Sequence, residues 1–402
     1  MQHLPLAGYR FLDFCWLIAG PLTTRLLADL GAEVIKVESL SRVDRIRETG
    51  VQPPDILSLN TNAVFNDGNT NKKSVTINLG TPRGIEVIKD LVRCSDVVSA
   101  NFTPDRLDRW GLSYDELRRI RPDIIVVNMP VMGKTGPRKD WGSYGNGIMA
   151  MSGVSGLTGF ADRPPVGLGT LHSDFTTPYF GALQIMAALH QRELTGEGQY
   201  LELAQYEAAL HLHDTELLEY LVNGDEPERR GNRSREYVPH GVFPCRGDDR
   251  WVAIAVRDDA EWPRLCAAMD RADLAARPDL RDEAGRRAAE DEIEAAIQQW
   301  TLIEDAWTIA HRLQSLGVPA SPVEDVADLA EHDPGMRGHF VTFAHPEGVD
   351  ILVQQEPLLW NGERLPLALA PLMGEHNEEV FQNLLGHSQE EVVEFVVEQV
   401  IY

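Results

Sequence analysis

Short apolar strands separated by single helices, recurring about every 30 residues, constrain this chain more than any other feature of it. Tyr9–Phe14 (YRFLDF) and Glu33–Glu38 (EVIKVE) are rich in β-branched and aromatic residues and read as strands. Between them Pro21–Leu30 (PLTTRLLADL) reads as a helix, with Pro21 in its first turn and Gly31 just past its end. Parallel strands need a long crossover connection, so strand, helix, strand predicts a parallel sheet. A second unit follows: strand Ser74–Asn78, Thr81 as N-cap with Pro82 at the first helical position, a helix to Arg93, then strand Asp96–Ala100. A third runs through helix Tyr114–Ile120 and strand Asp123–Met129. The first half is therefore expected to be an α/β domain with a doubly wound, mostly parallel sheet.

Beyond it, Pro178–Arg192 and Tyr200–Val222 read as long helices around the turn Thr195–Gln199. Asn223–Arg235 (NGDEPERRGNRSR) is polar and charged, and reads as a linker. Val242–Val256 predicts a hairpin around Gly247-Asp248-Asp249, followed by Ala-, Arg- and Glu-rich helices as far as Leu316. The tail from Val341 carries two apolar runs and an acidic helix, Ser388–Gln399. The expected organisation is a large α/β domain over 1–222, a smaller α+β domain over 223–328, and a segment, 329–402, that returns to the large domain.

Charge narrows the function. The formal net charge is −25, which argues against nucleic-acid or anionic-membrane partners, since both need a positive face. A polyphosphate ligand then requires cations gathered locally; Lys72, Lys73 and Lys134 are candidates to supply some, although each taken singly reads as a solvated surface charge. Cys15, Cys94, Cys245 and Cys266 form no CxxC pair and no zinc spacing, so they are expected to be reduced thiols, with no metal site. No basic n-region leads into an apolar segment at the N-terminus, and no stretch reaches about 18 apolar residues. A soluble cytoplasmic protein is expected.

Four segments carry the chemistry: IAGPLTTRLLADLGAEVIKVE (Ile18–Glu38), NKKSVTINL with TPRG (Asn71–Gly84), ANFTPDRLDRWGLSYDELRRIRPDIIVV (Ala100–Val127) and TGEGQYLELAQYEA (Thr195–Ala208). In identity, order and spacing they resemble the class III CoA-transferases, the formyl-CoA/carnitine type, and PLMGEHNEEVFQNLLG (Pro371–Gly386) adds a fifth. The resemblance implies transfer of coenzyme A from an acyl-CoA to a carboxylic acid, with no cofactor beyond the CoA substrate itself. It places the catalytic nucleophile at Asp174, about 20 residues before the TGEGQ turn. A carboxylate suits that task because it is ionised at neutral pH and needs no base to activate it. Read without the resemblance, Asp174 is an N-cap for the helix at Pro178.

The resemblance further implies that Ile18, Ala19, Asn78, Leu79, Gly80, Asn101, Phe102, Thr103 and Arg109 bind CoA, with Arg109 on a phosphate. Ile18 and Tyr144 would line the acyl pocket. It also implies a dimer of two interlocked subunits, a homodimer or a hetero-oligomer. There are departures. Formyl-CoA transferases carry Gln where this chain has Ile18, Arg at Ser39, Lys at Gly80, and a glycine run absent from Tyr237–Cys245. A larger, less polar acid than formate or oxalate is expected. Val64–Val75 and the opening PLAGYRFLDFCW look most like the branch acting on aromatic succinates such as benzylsuccinate.

Three rival readings remain. An α-methylacyl-CoA racemase shares these motifs but needs an Asp and a His as a base pair. That His falls at Ser143 here, and His172 is not at the family position. One subunit of a heteromeric transferase is the second reading. A dinucleotide enzyme is the third, although GxGxxG is absent after the first strand.

Overall fold

The computed structural model describes residues 4–53, 56 and 58–402. It divides into two compact units. One takes in residues up to Gly156, Val166–Pro227 and Gly338–Tyr402; the other holds Leu157–Pro165 and Glu228–Arg337.

The first unit is built on six parallel strands: β1 (Arg10–Asp13), β2 (Glu33–Glu38), β3 (Lys73–Thr76), β4 (Val97–Ala100), β5 (Ile125–Asn128) and β6 (Tyr200–Glu202). Their order across the sheet is β3-β2-β1-β4-β5-β6. Strand order reverses between β1 and β4, and in open α/β sheets a crevice opens at that switch point, beyond the C-terminal strand ends. Strands β1 to β5 are almost wholly buried, whereas the edge strand β6 is half-buried. Helix α1 (Ala19–Asp29) follows β1, α2 (Pro82–Arg93) follows β3 and α3 (Tyr114–Ile120) precedes β5. The Thr81 hydroxyl caps α2 at the Gly84 N–H, as expected from the sequence.

Two sequence expectations fail here. Tyr200–Val222 is not one helix: Tyr200–Glu202 pairs with β5, Tyr200 opposite Val126, and helices follow at Gln205–Leu210 and Asp214–Asn223. A short apolar run is compatible with either state, and the open edge of β5 decides it. The helix expected from Pro178 begins six residues earlier. It runs His172–Thr195 with Pro178 inside it, and is called α5 below; α4 is Gly145–Met151. Pro178 has no N–H to donate to Asp174 C=O and crowds that carbonyl with its ring, and the other turns of the 24-residue helix carry it.

The second unit holds an antiparallel sheet of His240–Pro244, Trp251–Ala255 and Ala320–Val323. The expected hairpin forms around Gly247–Asp249, with Pro244 opposite Trp251. Helices Glu261–Ala268, Glu290–Thr301 and Ala306–Ser315 share a core with it, including Trp262, Leu265, Ile297 and Leu313.

Candidate functional site

A cleft of about 610 Å³ opens where the strand order predicts it. Its walls come from the segments after successive strands: Phe14, Trp16 and Leu17 after β1, Ser39–Arg45 residues after β2, Ile77–Gly80 after β3, Asn101–Pro104 after β4 and Pro130–Val131 after β5. The stretch Trp141–Tyr144 closes it. One wall is aromatic. Phe102 meets Trp16 edge-on (centroids 5.2 Å apart) and Trp110 edge-on (5.7 Å).

Seven residues singled out from the sequence line this cleft together: Asn78, Leu79, Gly80, Asn101, Phe102, Thr103 and Tyr144. Ile18, Ala19 and Arg109 are not among its lining residues. Ile18 packs with Ile46, Phe65 and Ala370, and Ala19 is buried in the first turn of α1. The Arg109 side chain is 68% exposed, with Asp105 3.9 Å away. The Asn101 carboxamide is taken up by the backbone of Trp16, accepting from its N–H and donating to its C=O. The Asn78 side chain bonds Gly80 N–H and Gln399 C=O.

The three lysines proposed as local positive charge are used in the framework. Lys72 is buried, donating to the Asp13 carboxylate, the Thr24 hydroxyl and the Asn69 carboxamide. Lys73 bridges Glu33 and Glu379, and Lys134 pairs with Asp108. The cations that do line the cleft are Arg42, Arg45, Arg106 and Lys139. Among the described residues no ion pair to an acidic group is recorded for these four. Arg42 lies over the Trp16 ring and Arg106 over the Trp110 ring. Burial, with Arg42 and Arg109 nearby, lowers the Arg106 pKa. Spacing alone could not find this set, because Arg42 and Arg106 come together only through β2 and β4.

Asp174 sits in the first turn of α5 and is 9% exposed. It is not the N-cap of α5, a position that Leu171 holds; its carboxyl accepts instead from Gly145 N–H at the start of α4. Its carboxyl is pushed up to about 6 by burial, offset only by the N–H of Gly145. No cation enters that balance. Gly145 directly follows the cleft residue Tyr144, so the carboxyl lies just past the end of that wall. A Cβ at Gly145 would stand 2.9 Å from Asp174 Oδ2 and 2.9 Å from Leu171 Cβ, so only glycine lets the backbone approach this closely. The sequence carried that signal in GSYGNG, where Gly145 is the residue that matters. Ser143, where the sequence resemblance set the racemase histidine, also lines the cleft. Among the described residues no group of His, Cys, Asp and Glu is placed to hold a metal. No helix among them is long and apolar enough to cross a membrane.

A carboxyl raised by burial, next to a cleft lined by arginines and aromatic rings, suits chemistry on an anionic, ring-bearing ligand. The model of the family described as CoA-transferase family III matches residues 6–377. The succinyl-CoA–D-citramalate CoA-transferase of Chloroflexus aurantiacus is 33% identical over 99% of this chain and 98% of its own length. The beta subunit of the succinyl-CoA–L-malate CoA-transferase from the same organism is 32% identical over 99% and 98%. Among solved structures, a CAIB/BAIF family protein from Brucella suis superimposes with a TM-score of 0.87 at 29% identity, covering 95% of this chain and 100% of that one.

Proposed function

The chain belongs to CoA-transferase family III and is an enzyme of that class, and from that premise we propose that it passes coenzyme A from succinyl-CoA to a substituted succinate through covalent intermediates on Asp174. The observation that carries this reading is the Asp174 carboxyl, buried without a cation at the edge of the cleft. Desolvation keeps a carboxylate reactive, since water no longer shields its charge.

In the proposed cycle, an Asp174 oxygen attacks the thioester carbonyl and CoA leaves as the thiolate, forming a mixed anhydride. The thiolate attacks the aspartyl carbonyl, releases succinate and leaves an aspartyl-CoA thioester. The acceptor carboxylate attacks that thioester, forming a second anhydride and freeing the thiolate again. Attack of the thiolate on the acceptor's carbonyl yields the new acyl-CoA and restores the Asp174 carboxylate. Each step exchanges one acyl bond for another, so neither metal nor redox cofactor is called for. No proton need be removed from carbon, and Ser143 cannot act as the second base of a racemase at neutral pH.

Arg42 and Arg106, and the aromatic wall beneath them, support a nucleotide with phosphates in the cleft. They supply positive charge in a cleft where Ser39 and Gly80 stand in place of the cations of formyl-CoA transferases. The acceptor class rests on the relatives: malate and citramalate, like the benzylsuccinate expected from the sequence, are all substituted succinates. Exposed Phe175, Tyr179 and Leu183 on α5 support assembly as a dimer.

Intact-protein mass spectrometry after mixing with succinyl-CoA, with hydroxylamine trapping, tests the reading. An adduct that maps to Asp174 and is missing from Asp174→Ala is the expected outcome. Turnover without any adduct at Asp174 would refute the proposed intermediate.

A further inference from the structure

The turn Cys15–Leu17, which brings Trp16 and Leu17 to the cleft, is held at nearly every backbone polar atom by a side chain. Cys15 N–H donates to Asp13 Oδ1 at 2.9 Å, and Lys36 Nζ donates to Cys15 C=O at 2.6 Å. The Asn101 carboxamide takes both Trp16 groups, at 2.9 and 2.8 Å. Leu17 N–H donates to the Asp44 carboxylate at 3.1 and 3.3 Å. That carboxylate also accepts from Ile46 N–H and from Lys36 Nζ, each at 3.2 Å. Asp13, Lys36 and Asp44 are all buried.

Leu17 itself has φ 65°, the left-handed region that a branched side chain resists and glycine adopts freely. A surface turn could relieve this with a glycine or with water. Here a leucine is kept and three buried charged groups hold the turn, Asp44 at Leu17 and Asp13 and Lys36 at Cys15, and strain that is over-determined in this way marks positions where geometry matters.

We propose that Asp44, bridged to Lys36, is a positioning residue for the acyl-CoA substrate. It fixes the left-handed Leu17 and thereby the wall of the cleft formed by Trp16 and Leu17. Asp44 does not line the cleft, so it acts through the turn. This inference rests on the transferase reading above.

A double-mutant cycle with Asp44→Asn and Leu17→Gly, assayed with succinyl-CoA at saturating acceptor acid, tests it. Asp44→Asn keeps the shape of the side chain and loses the charge that holds Lys36. It should raise KM for succinyl-CoA about tenfold, with kcat and the KM for the acceptor changed less than about threefold, the scale of a small displacement in a binding wall. In the Leu17→Gly background the same change should add less than about threefold, because glycine needs no clamp at φ 65°. An equal tenfold effect in both backgrounds, or a fall in kcat alone, would show Asp44 to be only a core charge and overturn the proposal. Should Asp44→Asn not fold, Leu17→Val carries the test with Asp44 intact, since a β-branched residue resists positive φ more strongly. A raised KM then supports the clamp, and an unchanged KM sinks it. A wild-type protein that transfers CoA to no acid overturns the transferase reading, whereas active wild type with an unmoved Asp44→Asn overturns this inference alone.

Discussion

Two buried aspartates, Asp13 at the end of β1 and Asp174 in the first turn of α5, are treated in opposite ways by the structure around them. Burial alone would push both carboxyls up. At Asp13 it is overcome by Lys72 and Lys36, helped by the Thr24 hydroxyl and Cys15 N–H, and the pKa ends below the usual range. At Asp174 only the Gly145 N–H opposes it, and the carboxyl rises to about 6. The first is a structural charge with donors from Cys15, Thr24, Lys72 and Ser99. The second has been left short of partners, which destabilises the ionised form and leaves its oxygens available for attack. Such a contrast separates a framework carboxylate from the one proposed to react where burial alone cannot.

The contrast predicts opposite outcomes for neutralising each site. Asp174→Asn should abolish CoA transfer, by more than about a thousandfold, as loss of a covalent nucleophile does. The same variant should melt at a higher temperature than wild type at pH 7.5. Moving a carboxyl from 3.8 to about 6 corresponds to a penalty of about 2–3 kcal/mol on the ionised fold. Loss of activity with an unchanged or lower Tm would mean the site is not strained as described.

At the other site Lys72→Met should cost about 3–5 kcal/mol, because it strands a buried carboxylate. Calorimetric or denaturant unfolding reads it directly. If Asp13 kept its stability with Lys72 gone, the two aspartates would differ less than the geometry says.

The smallest effect is on pH dependence, and its sign follows from the raised pKa. The folded Asp174 holds a proton that the unfolded chain gives up between 3.8 and about 6, so its penalty is absent below that window and full above it. The Tm advantage of Asp174→Asn should therefore shrink as pH falls from 7 through 6 towards 4. Wild-type kcat/KM for succinyl-CoA should fall as pH drops through about 6, as the proposed nucleophile protonates. A flat profile across that range would place the titrating carboxyl elsewhere.

Much of the fold was legible because it is written locally. The β-branched runs, Pro82 after Thr81, and Gly31 past α1 each report a backbone preference that acts over a few residues. Alternation of strands and helices then implies a parallel sheet, and loops at its C-terminal edge, where seven of the residues inferred by resemblance line one cleft. The local signals failed where a distant partner decides. Tyr200–Glu202 becomes a strand because β5 offers it an edge, and α5 extends back past Pro178.

Which charges are free was decided by tertiary structure alone. Lys72 is matched by Asp13, 59 residues away, and Lys73 by Glu379, 306 residues away, while Arg42 and Arg106 line the cleft with no ion pair recorded among the described residues. The sequence determined that an aspartate stands before the TGEGQ turn and that the sheet would bring loops together. Only the folded chain determined that, among the described residues, no cation offsets the burial of this aspartate. Ionisation and reactivity depend on neighbours in space, and those neighbours come from strands far apart in the chain.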